Sequence, residues 1–271
     1  MRRYISDILH VIIFIGVVGV FFYQVFLGKL PVPSAALIGL YHPWRDMYAK
    51  EFPNGVPFKN FLITDPVRQQ IPWRKITMDQ WKEGSVPWWN PYSFSGTSLA
   101  GNIQAAVFYP FNVLFFLFSF PVAWTMLIIA QPLLAGIFLY MYLRYKQLAP
   151  VASLLGAITW SFSGFSVAWL TWGTMLQSAL WLPLVLLSIE KVIGGQKRWW
   201  LVLAGALSLQ LVAGHVQIAL YSIAFSSAYW FVRMRQVKKG RAQSYKDVGK
   251  AVGLFVLLTW VQWLPLARSV I

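Results

Sequence analysis

Apolar residues fill helix-length stretches of this chain, and one long polar and aromatic stretch interrupts them. A helix that crosses the hydrocarbon of a bilayer takes about 20 apolar residues. Residues 8–27, 122–143, 151–170, 173–193, 199–213, 216–232 and 251–266 approach that length and predict seven spanning helices. The pattern divides the chain into a first span within residues 1–27, a loop with interfacial helices over 28–121, and six further spans over 122–271. The fold class this predicts is an all-α polytopic membrane protein. A bilayer admits few polar groups, so the chemistry is expected in the loop.

Within the loop, residues 72–81 predict a short helix with Pro72 in its first turn. Asn90-Pro91 and Ser95-Gly96 predict turns after it. The loop is rich in aromatic residues, among them Trp44, Phe58, Trp73, Trp88, Trp89 and Tyr92, which predicts a compact cap and not a disordered tether. Residues 105–120 are apolar enough to cross, but the segment is short and contains Pro110 and Asn112.

Charge resolves that segment. Lys and Arg gather in cytoplasmic loops of membrane proteins. Here they stand at Arg2 and Arg3, at Arg144 and Lys146, at Lys191, Lys197 and Arg198, and in a dense group from Arg233 to Lys250 that includes Lys238 and Lys239. An even number of crossings must then separate Arg3 from Arg144, so residues 105–120 are read as interfacial or re-entrant. The N-terminus is placed in the cytoplasm and the C-terminus outside. The first apolar run is longer than the roughly 7–15 residues of a signal-peptide core and ends in no small-residue cleavage site, which favours an uncleaved anchor.

Composition agrees with this class. The chain is 58% hydrophobic and 11% charged, too little charge for a soluble surface. Its net charge of +15 is explained by cytoplasmic loops facing anionic headgroups, and nucleic acid is not an expected partner. With no cysteine, neither a disulfide framework nor a thiolate metal site is available. Five of the eight acids, Asp46, Glu51, Asp65, Asp79 and Glu83, lie in the predicted outer loop. The helices carry no ionisable residue at mid-span, which argues against an ion relay through the membrane.

The loop reads Asp65-Pro-Val-Arg-Gln-Gln-Ile-Pro-Trp, then Gly84-Ser-Val-Pro-Trp-Trp-Asn-Pro-Tyr, Phe94-Ser-Gly-Thr, Ala100-Gly-Asn-Ile-Gln and Tyr109-Pro. Ala213-Gly-His-Val-Gln and Gln262-Trp-Leu-Pro follow in the spans. In these motifs the chain resembles the YfhO-like bacterial membrane proteins of the GT-C glycosyltransferase superfamily. The resemblance implies a seven-helix module with a large first outer loop in a bacterial plasma membrane. It also implies transfer of a sugar from a polyprenyl-phosphate carrier to an envelope glycan, lipid or protein. Superfamily members usually continue with further helices, so a chain stopping at Ile271 is expected to be a fragment or a minimal member. An acid of the first outer loop serves such enzymes at the acceptor, and Asp65 matches that position, with Asp46 in His42-Pro-Trp-Arg-Asp as second choice. No paired acidic motif accompanies Asp65, so no cofactor is expected, though a divalent metal is left open.

Sugar transfer asks for a base, for cations that hold the departing phosphate, and for polar groups that dock sugar rings. Asp65 suits the first role. Arg68, Arg74, Lys75 and Arg268 suit the second, and Gln69, Asn90, Asn102, Gln104, His215 and Gln217 the third. Each has a plainer reading. An Asp before Pro often caps a helix, Arg74 and Lys75 can snorkel to lipid phosphates, and Trp88, Trp89 and Tyr92 are more often interfacial anchors than sugar platforms. His215 alone, with His10 and His42 at no ligand spacing, suggests no metal. Two rivals remain at this stage: a lipid-linked-sugar flippase, which would want polar groups along a path across the bilayer, and a non-catalytic partner presenting the loop.

Overall fold

A computed structural model describes residues 2–56, 63–237 and 240–270, so Phe58, Lys238 and Lys239 fall outside the described residues. The chain is an all-α polytopic membrane protein, and a single two-stranded ribbon in the loop is the one sheet among the described residues. The first apolar run forms α1 (Arg2–Phe21) and a short α2 (Tyr23–Phe26). The loop then carries α3 (Ser34–Leu40), α4 (Trp44–Met47), a π-helical turn Pro66–Gln70 and α5 (Ile71–Lys82). The helix expected at 72–81 is therefore present, extended by one residue at each end. Strands β1 (Trp89–Asn90) and β2 (Thr97–Ser98) pair antiparallel around the turns predicted at Asn90-Pro91 and Ser95-Gly96, with Trp89 opposite Ser98.

Residues 105–120 form no continuous helix. They break into 3-10 turns at Ile103–Ala105 and Pro110–Val113 and a single turn, α6 (Leu114–Leu117). Pro110 withholds an N–H, and the Asn112 amide donates to the carbonyls of Ala106 and Val107 at 2.8 and 3.2 Å, which holds the segment folded back on itself.

The remaining chain is α7 (Phe120–Tyr145), α8 (Pro150–Ser161), α9 (Gly164–Ala168), α10 (Met175–Ala179), α11 (Leu182–Ile193), α12 (Trp199–Val212), α13 (Val216–Gln236) and α14 (Arg241–Val270). Two predicted spans are each broken once. The third breaks at Phe162–Ser163, where Ser163 caps α9, and the fourth breaks before Pro183. Among the described residues, four stretches are long and apolar enough to cross a membrane: Phe120–Tyr145, Pro150–Ala168, Met175–Ile193 and Arg241–Arg268. Ile5–Phe21 and Trp199–Val212 are apolar but shorter.

The helices pack as a bundle in which α11 touches α7, α12, α13 and α14, while α1 lies against α7 and α8. Pro132 in α7 cannot donate to the carbonyl of Ile128, and the neighbouring Gln131 amide reaches that carbonyl at 3.5 Å and Leu170 O at 3.1 Å. Gly136 lets the Phe14 ring and Ser161 Oγ approach α7 where a Cβ would collide. At one end of the bundle the charges pair. Arg144 Nε donates to Asp7 Oδ1 at 2.6 Å, and Arg233 Nε to Glu190 Oε1 at 2.6 Å, with Lys146 Nζ 3.3 Å from Glu190. The basic residues that follow the second, fourth and sixth spans thus meet the start of α1 at one end, and the loop covers the other.

Candidate functional site

Long-range hydrogen bonds from amides set within apolar or motif sequence fasten the loop to the bundle. Gln262 of α14 donates to Ala100 O at 2.8 Å, and Gln177 of α10 donates to the Tyr109 hydroxyl at 2.8 Å. Tyr109 is buried, which pushes its phenol well above the ordinary tyrosine range and keeps it a neutral partner. Gln70, at the end of the π-helical turn, donates to Gln104 Oε1 at 2.9 Å. The backbone N–H of His215 donates to Ser178 Oγ at 3.2 Å. Buried amides in low dielectric are costly unless paired, so the Gln262–Ala100 and Gln177–Tyr109 bonds fix one register of loop on bundle, while Gln70–Gln104 braces the loop and His215–Ser178 braces the bundle beneath it.

Beside these anchors opens a cavity of about 350 Å³ lined by Asn102, Gln104, His215 and Gln217, with Gly101 and Leu266 among its walls. Four of the sequence-selected residues, from two distant segments, therefore meet here. Asn102 Oδ1 accepts from Gln104 N at 3.1 Å and caps the 3-10 turn, leaving its amide N–H groups unbonded among the described residues. Gln104 gives its Oε1 to Gln70, which directs its own N–H donors elsewhere. His215 caps α13: its Nδ1 accepts from Ile218 N at 3.3 Å, so the proton sits on Nε2. Burial holds the imidazole below the usual histidine range, so it stays neutral. Gln217 donates to Tyr221 at 2.8 Å and keeps its Oε1 as an acceptor. The lining mixes donors and acceptors and contains no charged side chain.

A second cavity, of about 560 Å³, lies along the same end of α14, between Leu264, Pro265 and Arg268 on one side and Trp88, Trp89 and Ser98 on the other. Trp88 and Trp89 are half exposed, at 50% and 53%. Gly96, at φ +116°, lets the Trp89 indole lie over the turn, where an added Cβ would come within 2.2 Å of the ring. Gln80 holds Trp89 O at 2.8 Å from the α5 side. Arg268 is exposed and makes no ion pair among the described residues. The two cavities together pair a neutral hydrogen-bonding lining with a cationic, aromatic one.

The other selected residues lie apart from these two cavities. Arg74, expected to hold a phosphate, is 1% exposed and donates to Asn112 Oδ1, with Nε unpartnered. Burial pushes its pKa down to about 10, and a ligand cannot reach it. Its place is beneath α5, joining that helix to residues 110–113. Lys75, one residue on and about 100° round the helix, faces outward and pairs with Asp79 at 2.5 Å. Arg68 donates to the Tyr41 hydroxyl at 3.0 Å and lies over its ring. Asn90 is buried and spends its side chain on Ser93 and Tyr92 N within the turn. Asp46 pairs with His42 at 2.6 Å on the exposed surface. Gln69 is half-buried beside Gln70.

Asp65 stands at the helix-cap position, yet its side chain takes no cap bond, because its own backbone is already helical at φ −56°, ψ −41°. Its half-buried carboxylate has no hydrogen-bond or ion-pair partner among the described residues. The π-helical turn that follows it ends at Gln70, five residues on, whose amide bonds Gln104 in the wall of the neutral cavity.

Residues 81–270 match the family model described as bacterial membrane protein YfhO. The chain belongs to the YfhO family. The matched stretch contains both cavities and every residue named in their walls, whereas Asp65, Arg68, Arg74 and Lys75 precede it. No curated protein and no solved structure matches the chain.

Four further residues of this YfhO chain build the site without being among the candidates for catalysis or binding. Gln70, Gln177 and Gln262 brace and place the loop, and Gly214 shapes the turn that presents His215; all but Gln177 stand in the motifs that carry the resemblance. A polar amide in an otherwise apolar window was the available signal. The core also holds Gln131, Gln177 and Gln210, uncharged polar side chains buried within the helices.

Proposed function

We propose that this YfhO-family protein is a membrane glycosyltransferase that moves a sugar from a polyprenyl-phosphate-linked donor to an acceptor hydroxyl at the outer face. The observation that carries the reading is the pair of cavities at the end of α14. The uncharged cavity of Asn102, Gln104, His215 and Gln217 suits sugar hydroxyls, which both donate and accept. The cavity of Trp88, Trp89 and Arg268 suits a phosphate next to an apolar chain, with the guanidinium matched to the anion. In the reaction, the acceptor oxygen bonds to the anomeric carbon while the bond to the phosphate oxygen breaks. The phosphate leaves with the electron pair, and the acceptor proton passes to a base. Asp65, an unpaired carboxylate whose turn is fastened to the cavity wall, is assigned that role.

The test is transfer by the purified protein in nanodiscs, supplied with a polyprenyl-phosphate sugar. Arg268→Gln is expected to weaken donor binding roughly tenfold, the weight of a charge-assisted contact, and wild-type donor affinity in that variant would remove the phosphate from this cavity. The same reading places the loop outside and the N-terminus in the cytoplasm of a bacterial plasma membrane. The chain has no cysteine, so single cysteines at the exposed positions Ser85 and Ala242 report sidedness cleanly. An impermeant reagent applied to intact cells should label the first and spare the second; labelling of both would refute the seven-crossing arrangement.

A further inference from the structure

The opposite end of the bundle holds a cavity that sugar transfer does not use. It is open, about 680 Å³ in volume, and lies where α1, the end of α7, α11 and the start of α12 converge. Its floor is apolar: Ile8 and Ile12 of α1, Met141 of α7 and Leu187 of α11. Its rim is polar and basic, with Arg144, Lys191 and Tyr145 beside Trp199. Ile8 and Ile12 are about 60% exposed, so this flank of α1 is covered by no other part of the described chain.

The charges on the rim do not cancel. Arg144 is matched by Asp7 at 2.6 Å. Lys191 has no carboxylate partner among the described residues and is held by rings instead, 4.4 Å from the centroid of Tyr145 and 5.3 Å from that of Trp199. Lys197 and Arg198 stand exposed just ahead of Trp199. A cation fixed over two aromatic faces, above an apolar groove that opens sideways, is complementary to a phosphate diester carrying acyl chains.

We propose that this groove is a binding site for an anionic glycerophospholipid, with its phosphate at Lys191 and an acyl chain along Ile8, Ile12, Met141 and Leu187. The inference is independent of the transfer reaction. Phosphatidylglycerol is anionic and phosphatidylcholine zwitterionic, so the two separate charge recognition from general lipid solvation.

Purified protein exchanged into detergent with equimolar phosphatidylglycerol and phosphatidylcholine would be examined by native mass spectrometry. The wild type is expected to retain phosphatidylglycerol roughly tenfold in preference, because phosphatidylcholine offers the same phosphate already neutralised by a trimethylammonium that the basic rim repels, a loss of about one charge-assisted contact. Lys191→Gln should abolish the preference, Lys191→Arg should keep it, and Lys197→Gln, on the exposed connection, should leave it within about twofold. Ile8→Glu places a carboxylate at an exposed position of the groove wall and should also abolish it, which gives a second reading if Lys191→Gln fails to fold. Equal retention of the two lipids by the wild type, or an undiminished preference in Lys191→Gln or Ile8→Glu, would overturn the proposal.

Discussion

Replacing Asp65 by Asn is expected to lower sugar transfer by about 10²–10⁴-fold, the usual contribution of general-base catalysis. The exchange keeps the shape of the side chain and its ability to accept a hydrogen bond, and removes its basicity. The structure makes this substitution a clean one. Asp65 takes no cap bond and no ion pair among the described residues, so little folding energy is at stake. Donor binding, which is assigned to Arg268 and the tryptophans, should be unchanged. Had Asp65 been a helix cap, Asn would replace it at almost no loss, since the two residues cap about equally well. Turnover with a saturating donor and a fixed acceptor separates the outcomes. Full activity in Asp65→Asn would remove Asp65 as the base and pass the role to Asp46, whose carboxylate is at present paired with His42.

Gly214→Ala is expected to lower both the melting temperature and the turnover, although the residue touches no proposed substrate. Gly214 sits at φ +112°, a region that costs a residue with a side chain about 1–3 kcal/mol. An added Cβ would also meet Thr174 Cγ2 at 2.8 Å and the Ala106 Cβ at 3.3 Å. The turn would have to move, and with it His215, whose backbone N–H is held by Ser178 and whose imidazole caps α13. Loss of that cap adds about 1 kcal/mol. Gly205→Ala is the control, because a Cβ there meets nothing within 4 Å. In a helix interior that exchange is neutral to favourable. Thermal unfolding in detergent and transfer in nanodiscs should both fall for Gly214→Ala and neither for Gly205→Ala. Matching melting curves for Gly214→Ala and the wild type would show that the turn accommodates a side chain and does not fix His215.

The same residues show how far local pattern carries an argument. The α5 helix was legible from Pro72 onward, because a helix is built from local hydrogen bonds and a local periodicity. Which way its cations point was not legible. Arg74 and Lys75 are adjacent in sequence and look alike as phosphate ligands, yet one is buried against Asn112 and the other pairs with Asp79 at the surface. The angle of about 100° between successive residues puts them on different faces. The packing of residues 110–113 then decides which face is inside. Asn90 and Asn102 were likewise equivalent as motif asparagines. The first closes its own turn, and the second keeps its N–H groups for a cavity.

By itself, the sequence determined the membrane class and the all-α fold, and it singled out Asn102, Gln104, His215 and Gln217, which the structure brings to one cavity. Apolar length and charge distribution are properties of contiguous chain, and the bilayer selects on them directly. Only the tertiary structure decided that Gln104 is held by Gln70, that Gln262 fastens Ala100, and that Trp88 and Trp89 face Arg268 across one cavity. Those pairs lie tens to more than a hundred residues apart in the chain. A buried amide accepts whichever partner packing brings within about 3 Å, and no local pattern encodes that distance.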